Sequence, residues 1–219
     1  MIIFFIKKVM LRLNKSIKLM VFQFKWRKQN KDNFTEAINY FNPNKVSVGK
    51  GTYGKLKVIM YNNPDENLVI GSFCSISDNV EFLLGGEHHP YLLFNYPFLI
   101  NYIKNDTNFI DNTSKGAILV GDDVWIGRNV LITSGVKIGN GAIIAAGSTI
   151  TKDIPAYSIA TTNRIIKYRF SNEICNILEN FNYSSISEKW ISDNIQYLYE
   201  KDISIDLIES LMRGVDKNN

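Results

Sequence analysis

Residues 120–155 read VGDDVW IGRNVL ITSGVK IGNGAI IAAGST ITKDIP, which is six consecutive units of six residues. The first residue of each unit is aliphatic and the fifth is small or β-branched. These positions are Val120, Ile126, Ile132, Ile138, Ile144, Ile150 and Val124, Val130, Val136, Ala142, Ser148, Ile154. A period of six fits neither an α-helix nor the two-residue alternation of a plain strand. It predicts short strands on the faces of a triangular solenoid, three units per turn, with the aliphatic residues in a narrow core.

The same phase occurs earlier in the chain. Ile70, Ile76 and Phe82 are six residues apart, and Cys74 and Val80 occupy the fifth position. We therefore predict that Cys74 is a core residue and that the solenoid begins near Val46. Between Phe82 and Val120 the repeat is interrupted by an insertion over residues 85–116, and an insertion of this length is typical of a functional loop.

The solenoid domain is predicted over residues 46–157, between a basic N-terminal arm or cap (1–45) and a C-terminal helical segment (158–219). Ser171 and Ser187 are predicted to cap helices with apolar stripes, and a third helix is predicted to end near Gly214. The 219 residues suit one domain with such appendages.

The basic charge of the chain belongs to its N-terminal arm. Residues 1–31 contain nine Lys or Arg and no Asp or Glu, which leaves 16 basic and 21 acidic side chains elsewhere. The arm could contact an anionic membrane surface, or it could cap the open end of the solenoid through Phe22, Phe24 and Trp26. Packing is the favoured role.

The apolar run at the start of the sequence is too short for a signal peptide or a membrane span, so a cytoplasmic protein is expected, and the basic arm leaves contact with the inner membrane surface open. Two cysteines give no disulfide framework and no metal-binding spacing. We expect neither a metal nor a nucleic-acid partner.

The six units resemble the hexapeptide-repeat acyltransferases. The preceding segment, IGSFCSISDNVEFLLGGEHHPYLLFNYPF (residues 70–98), resembles the xenobiotic acetyltransferase branch, which has a GGxH motif followed by an aromatic-Pro-Phe sequence. FKWRKQNKDNFT (24–35) and VSVGKGTYG (46–54) are similar to the members found with bacterial surface-polysaccharide genes. The resemblance implies a left-handed parallel β-helix, a homotrimer with active sites between subunits, and acetyl-CoA as co-substrate.

Two histidines, His88 and His89, are the only ones in the chain, and both lie where the repeat gives way to the insertion. An imidazole suits the removal of a proton from a hydroxyl nucleophile. The GGxH alignment assigns the general base to His88, although a shift of one residue would assign it to His89. Glu87, His89 and Tyr96 are candidate contacts to the substrate.

The resemblance also implies a CoA-binding set. The matching positions are Trp125, Gly127, Arg128, Ala146, Thr151 and Lys152. Trp125 equally suits a packing role, and Lys152 also suits an ordinary surface position. The loop after the last units departs from the family because it is shorter and lacks proline, and Arg164 is the candidate replacement for its basic residue.

The main functional hypothesis is transfer of an acetyl group from acetyl-CoA to a hydroxyl of a sugar in surface-polysaccharide biosynthesis. The alternative is O-acetylation of an antibiotic such as chloramphenicol or a streptogramin. The residues after the histidines, Pro90–Phe94, differ from the Asp-Trp segment of the antibiotic-modifying members.

Two other classes of protein share the solenoid fold. A β-helical carbonic anhydrase binds zinc through three histidines, and this chain has only two. A non-catalytic solenoid is the remote alternative, and it leaves GGEH without a role.

Overall fold

The computed structural model describes residues 2–103, 112–162, 164–200 and 203–216. Fourteen strands form most of the fold. They are β1 (Phe34–Ala37), β2 (Val46–Val48), β3 (Tyr53–Ile59), β4 (Leu68–Ile70), β5 (Ser75–Ile76), β6 (Glu81–Leu83), β7 (Ile118–Val120), β8 (Trp125–Ile126), β9 (Leu131–Thr133), β10 (Lys137–Ile138), β11 (Ile143–Ile144), β12 (Thr149–Ile150), β13 (Ser158–Thr161) and β14 (Arg164–Tyr168). The helices are α1 (Ile2–Gln29), α2 (Asn172–Leu178), α3 (Glu188–Leu198) and α4 (Ile205–Asp216).

The strands stack in parallel on three faces, and the chain forms a left-handed parallel β-helix. Face 1 holds β2, β4, β7 and β10. Face 2 holds the start of β3 followed by β5, β8, β11 and β13, and face 3 holds the end of β3 followed by β6, β9 and β12. The chain visits the faces in the order 1, 2, 3, so each coil uses three units, as the sequence predicts.

The predicted phase is confirmed by burial. The first residues of the six units are all at most 3% exposed, and so are the fifth residues. Successive coils place these side chains directly above one another in one narrow core, which buries apolar surface along the whole solenoid.

The fourth position of a unit forms the corner between two faces. It adopts a left-handed conformation in the first five units, at Asp123, Asn129, Gly135, Gly141 and Gly147. Glycine, asparagine and aspartate tolerate this conformation best. The repeat therefore specifies both the strands and the corners between them.

Cys74 lies in the core, as predicted, and is fully buried. Burial raises the pKa of its thiol to about 12. We expect a thiol reagent at pH 8 to leave Cys74 unmodified in the folded protein, because only the thiolate reacts. Thiol counting should find Cys74 only after denaturation, whereas Cys175 is half-buried and serves as the internal comparison. Rapid modification of Cys74 in the folded protein would contradict this placement.

The end of α1 covers the first coil. Phe22 and Trp26 are buried, and the Trp26 ring meets Phe41 edge-on with centroids 5.2 Å apart. The Trp26 Nε1 donates to Thr35 Oγ1 at 3.1 Å, and Arg27 donates to the carbonyl of Asn33 at 2.6 Å. The segment FKWRKQNKDNFT therefore fastens α1 to β1.

The prediction that Phe24 joins this packing is wrong, because its side chain is 72% exposed. Residues two positions apart are about 200° apart around the helix axis, so their side chains lie on nearly opposite sides, whereas residues four apart share a face. Phe22 and Trp26 therefore face the solenoid together, and Phe24 faces away from it.

The C-terminal segment starts with strands rather than helices. β13 continues face 2 and turns back antiparallel as β14, so the first C-terminal helix begins only at Asn172. The predicted caps are confirmed, since Ser171 accepts from the backbone N–H of Ile174 and Ser187 accepts from that of Trp190. The third helix continues past Gly214 to Asp216.

Candidate active site

Three edges separate the faces of the solenoid, and each carries different residues. The histidine edge follows β6, β9 and β12 and contains 84–88, Ser134, Thr151 and Lys152. The arginine edge follows β5, β8 and β11 and contains Asp78, Arg128 and Ala146. The helix edge contains Phe73, Asp123, Gly141 and Tyr157, and the C-terminal helices cover it.

The two ends of the insertion meet at the histidine edge. The Gly86 N–H donates to the carbonyl of Thr113 at 3.1 Å, and the Thr113 N–H donates to the carbonyl of Glu87 at 2.7 Å. The Ser114 hydroxyl also donates to the carbonyl of Leu84. These bonds hold the backbone immediately before His88 in place.

The two glycines of GGEH are needed for this closure. A β-carbon on Gly85 would collide with the carboxyl group of Glu66, which is buried and accepts from the Tyr61 N–H at 2.7 Å. A β-carbon on Gly86 would collide with the Tyr61 ring, and Gly86 has a φ of +95°. Glycine is the residue that fits both close approach and this conformation.

Glu87 points into the edge rather than into solvent. Its Oε1 accepts from the Ser134 hydroxyl at 2.6 Å, and the Ser134 oxygen in turn accepts from the Lys115 N–H at 3.1 Å. The second carboxyl oxygen, Oε2, is buried without a hydrogen-bond partner. Ser134, one coil along from GGEH, therefore ties both ends of the insertion to the solenoid. Sequence analysis missed Ser134, although the stacking phase of the units brings it beneath Glu87.

Replacing Ser134 with alanine removes the only hydroxyl that donates to the Glu87 carboxyl group among the described residues. A buried polar group left unpaired costs about 1–3 kcal/mol. We therefore expect a lower free energy of unfolding and slower catalysis, measured by thermal denaturation and by kcat. Ser134→Thr keeps the hydroxyl and is the matched control. Equal behaviour of the two variants would show that this hydrogen bond is unimportant.

His88 and His89 differ in exposure. His88 is exposed and makes no side-chain hydrogen bond within the described part of the chain, whereas His89 is half-buried. The His89 carbonyl accepts from the Leu92 N–H at 3.4 Å, so the chain turns back directly after the pair. Of the two imidazoles, the one on His88 is the more accessible to a substrate.

Tyr96 belongs to an exposed aromatic cluster in the insertion. Its ring centroid is 4.8 Å from that of Phe98, which also meets Phe94 and Tyr102 edge-on. Tyr91 and Leu93 are almost fully exposed beside this cluster. The described residues 91–102 thus offer an exposed aromatic surface.

The arginine edge contains most of the predicted CoA-binding residues. Arg128 and Ala146 are exposed at successive corners of this edge, and Trp125 is exposed on face 2 three residues before Arg128. Gly127 is buried because its corner packs against the backbone of Ala146. Next to Ala146, a β-carbon on Gly147 would meet no atom within 4 Å, so this corner is open.

Arg164 lies beside the same edge. The tip of the β13–β14 hairpin pairs Thr161 with Arg164, and Thr161 Oγ1 accepts from the Ser148 hydroxyl at 3.1 Å. The hairpin replaces the longer family loop and brings an exposed arginine to the corner that holds Ala146. Arg128 and Arg164 therefore put two positive charges on one edge.

Asp78 partly offsets that charge. The ammonium group of Lys55, 3.0 Å from Asp78 Oδ1, holds the pKa of Asp78 below its ordinary value by a hydrogen bond and by its charge, and Arg128 contributes less. Asp78 is exposed, so solvent screens this interaction. A basic edge with open corners suits the phosphates and the narrow pantetheine arm of a CoA thioester.

Thr151 and Lys152 are exposed on the histidine edge, two coils along from His88. The predicted site residues therefore fall on two edges, which face 3 separates. Within one chain, His88 and the arginine edge therefore lie on opposite sides of face 3.

The helix edge is a packing surface. Arg169 Nη1 is 3.1 Å from Asp123 Oδ2 and donates to the Gly141 carbonyl at 2.6 Å. Burial raises the pKa of Asp123, an effect that the charge of Arg169 opposes. The Tyr157 hydroxyl donates to the carbonyl of Leu178, at the end of α2. None of the predicted site residues lies here.

Comparison with known proteins agrees with the hexapeptide-repeat fold. The bacterial transferase hexapeptide family (six repeats) matches residues 117–152. A probable macrolide acetyltransferase of Lysinibacillus sphaericus is 40% identical over 139 residues, which cover 61% of this chain and 77% of that protein. A chloramphenicol acetyltransferase of Klebsiella aerogenes is 37% identical over 121 residues, covering 52% of this chain and 57% of that protein. The chain belongs to the hexapeptide-repeat transferases.

Among solved structures, a maltose O-acetyltransferase from Clostridium difficile 630 is 26% identical, with a TM-score of 0.45. The similarity covers 64% of this chain and 65% of that one.

Proposed function

We propose that this protein transfers an acetyl group from acetyl-CoA to a hydroxyl of a sugar, with His88 as the general base. The observation that carries the proposal is the exposed imidazole of His88, held by the closed base of the insertion at the edge of a hexapeptide-repeat solenoid. The named acetyltransferases among its relatives support the acetyl donor.

In this reaction His88 accepts the proton of the acceptor hydroxyl as its oxygen attacks the thioester carbonyl. The tetrahedral intermediate then breaks its C–S bond, and the proton on the imidazole goes to the departing CoA sulfur. Proton removal in the transition state is worth about 10²–10⁴ in rate. Most of the remaining acceleration comes from holding the two substrates together.

We further propose a homotrimer in which the histidine edge of one chain faces the arginine edge of its neighbour. Support comes from the separation of the two edges within one chain. A site built inside one chain would have to cross face 3, where a salt bridge between Lys57 and Glu81 occupies the outer surface. Two copies can bring the edges together without crossing it.

A sugar, such as a surface-polysaccharide precursor, is the acceptor that we favour. The resemblance of FKWRKQNKDNFT and VSVGKGTYG to polysaccharide enzymes supports this choice, as does the departure of Pro90–Phe94 from the antibiotic-modifying members. Aromatic side chains such as those of Tyr96 and Phe98 pack against the apolar faces of sugar rings.

An antibiotic acceptor is the second candidate. It is favoured by the names of the relatives, a probable macrolide acetyltransferase and a chloramphenicol acetyltransferase. The exposed aromatic cluster of the insertion would also suit a large apolar acceptor.

Acceptor-dependent release of CoA from acetyl-CoA tests the proposal. The panel contains sugar nucleotides, simple glycosides, chloramphenicol, a streptogramin and a macrolide, and His88→Ala serves as the inactive control. We expect a sugar to be acetylated, with the product identified by mass spectrometry. Acetylation of the antibiotics alone would replace the sugar proposal with the second candidate, and no acceptor-dependent release would contradict both.

The location of the enzyme in the cell is part of the same proposal. No helix in the described residues is long and apolar enough to cross a membrane. We propose a cytoplasmic enzyme that contacts the inner membrane surface through residues 1–31. This segment contains nine basic side chains and no acidic one.

A further inference from the structure

Helix α1 has one face that packs and another that does not. Its hydrogen bonds to the solenoid come from its end, where Gln23 donates to the carbonyl of Ala37 at 2.8 Å and Trp26 donates to Thr35. Residues 10–18 are all exposed. A helix of 28 residues is about 42 Å long, so much of α1 projects beyond the coil that it caps.

An apolar stripe runs along the side of α1 that faces away from the solenoid. Its members are spaced alternately three and four residues apart, which places them on one helix face. They are Met10, Leu13, Ile17, Met20 and Phe24. Every one of them is at least 51% exposed, and Phe24 is the most exposed at 72%.

Basic side chains border this stripe. Lys7, Lys18 and Lys25 are exposed on the neighbouring row of the helix, and Arg12 and Lys15 lie farther round. No acidic side chain occurs in residues 1–31. The exposed half of α1 therefore combines an apolar face with an uncompensated positive charge.

Two occupants would fit the stripe by shape alone, another copy of α1 or a lipid surface. The three-four spacing also suits a coiled coil. However, α1 helices packed side by side would bring segments of nine basic residues together with no acidic partners at the flanking positions. Anionic lipid headgroups supply the missing opposite charge, and acyl chains accept the apolar face.

We propose that α1 lies in the headgroup region of an anionic membrane, with the stripe from Met10 to Phe24 facing the acyl chains. This inference extends the membrane location proposed above and does not depend on acetyl transfer. α1 then has two roles on opposite faces, capping the solenoid with Phe22 and Trp26 and docking on the membrane with the stripe.

Sedimentation of the full-length protein with vesicles tests the proposal. The vesicles are phosphatidylcholine alone or an equimolar mixture with phosphatidylglycerol. We expect binding only to the mixture. Leu13→Gln should weaken it about tenfold or more, because the substitution removes a leucine from the buried face. Leu11→Gln is the matched control, since Leu11 is at least as exposed as Leu13 but lies off the stripe, and it should bind almost as the unmodified protein does.

A second set of variants tests the role of the lysines. Removing the charges of Lys7, Lys18 and Lys25 should weaken binding to the anionic vesicles about fivefold per residue. Raising the salt concentration should also weaken this binding, because salt screens the attraction between the lysines and the lipid headgroups. Equal binding of Leu13→Gln and Leu11→Gln would overturn the assigned face. A failure to bind, with self-association that Leu13→Gln abolishes in sedimentation equilibrium, would assign the stripe to a second copy. Acetyl transfer to a dissolved acceptor should be unchanged in Leu13→Gln, which separates this test from that of the enzyme activity.

Discussion

His88→Ala is expected to lower the rate of acetyl transfer by about 10²–10⁴-fold, the usual cost of losing a general base. The fold should survive, because His88 is exposed and its side chain makes no hydrogen bond within the described residues. Steady-state kinetics with thermal denaturation of the same sample checks both expectations. The fall should appear in kcat, since the imidazole acts on the hydroxyl in the transition state.

His89→Ala is the matched control for this variant, with the same change one residue along the chain. It should cost much less activity, although His89 is half-buried and its loss can reduce stability. An inactive His89→Ala beside an active His88→Ala would assign the base to His89, one residue from the position that the GGxH alignment gives.

The double variant Arg128→Glu, Arg164→Glu is expected to weaken acetyl-CoA binding by about a hundredfold or more. Hydrogen bonds to charged groups contribute about 1.5–3 kcal/mol each, and both arginines are lost and replaced by negative charges that repel phosphate. The effect should appear mainly as a raised KM for acetyl-CoA. Isothermal titration with CoA measures the same loss without turnover.

Lys31→Glu, Lys189→Glu is the control for this change in charge. Both lysines are exposed, and they lie just after α1 and on α3, away from the arginine edge. This control variant changes the net charge by the same amount as the arginine variant, and it should leave the KM for acetyl-CoA close to that of the unmodified protein. Equal losses in both double variants would indicate a general electrostatic effect rather than a binding edge.

Much of the fold could be predicted because the repeat is local and strict. The first and fifth residues of each unit must be buried for the coils to stack, so the phase alone identifies Ile126 or Cys74 as core. The helix caps at Ser171 and Ser187 were predictable for a similar reason, since a serine oxygen and the nearby N–H groups are neighbours in sequence.

The arrangement of the site was harder to predict. All units share one pattern, so the phase alone does not show that His88 and Arg128 lie on different edges. That distinction depends on following the three faces across the insertion over residues 85–116. The inward direction of Glu87 likewise depends on Ser134, which is distant in sequence, and the exposure of Phe24 depends on which face of α1 meets β1.

Mixing two inactive chains tests the central claim most directly, namely that His88 of one chain works with the arginine edge of its neighbour. His88→Ala chains and Arg128→Glu, Arg164→Glu chains would be co-expressed with different tags, and mixed oligomers isolated through both. If three chains assemble in a ring, every mixed trimer has one interface in three that joins an intact histidine edge to an intact arginine edge, so about a third of the unmodified activity should return. Activity no greater than that of the two parent variants would contradict a site shared between chains.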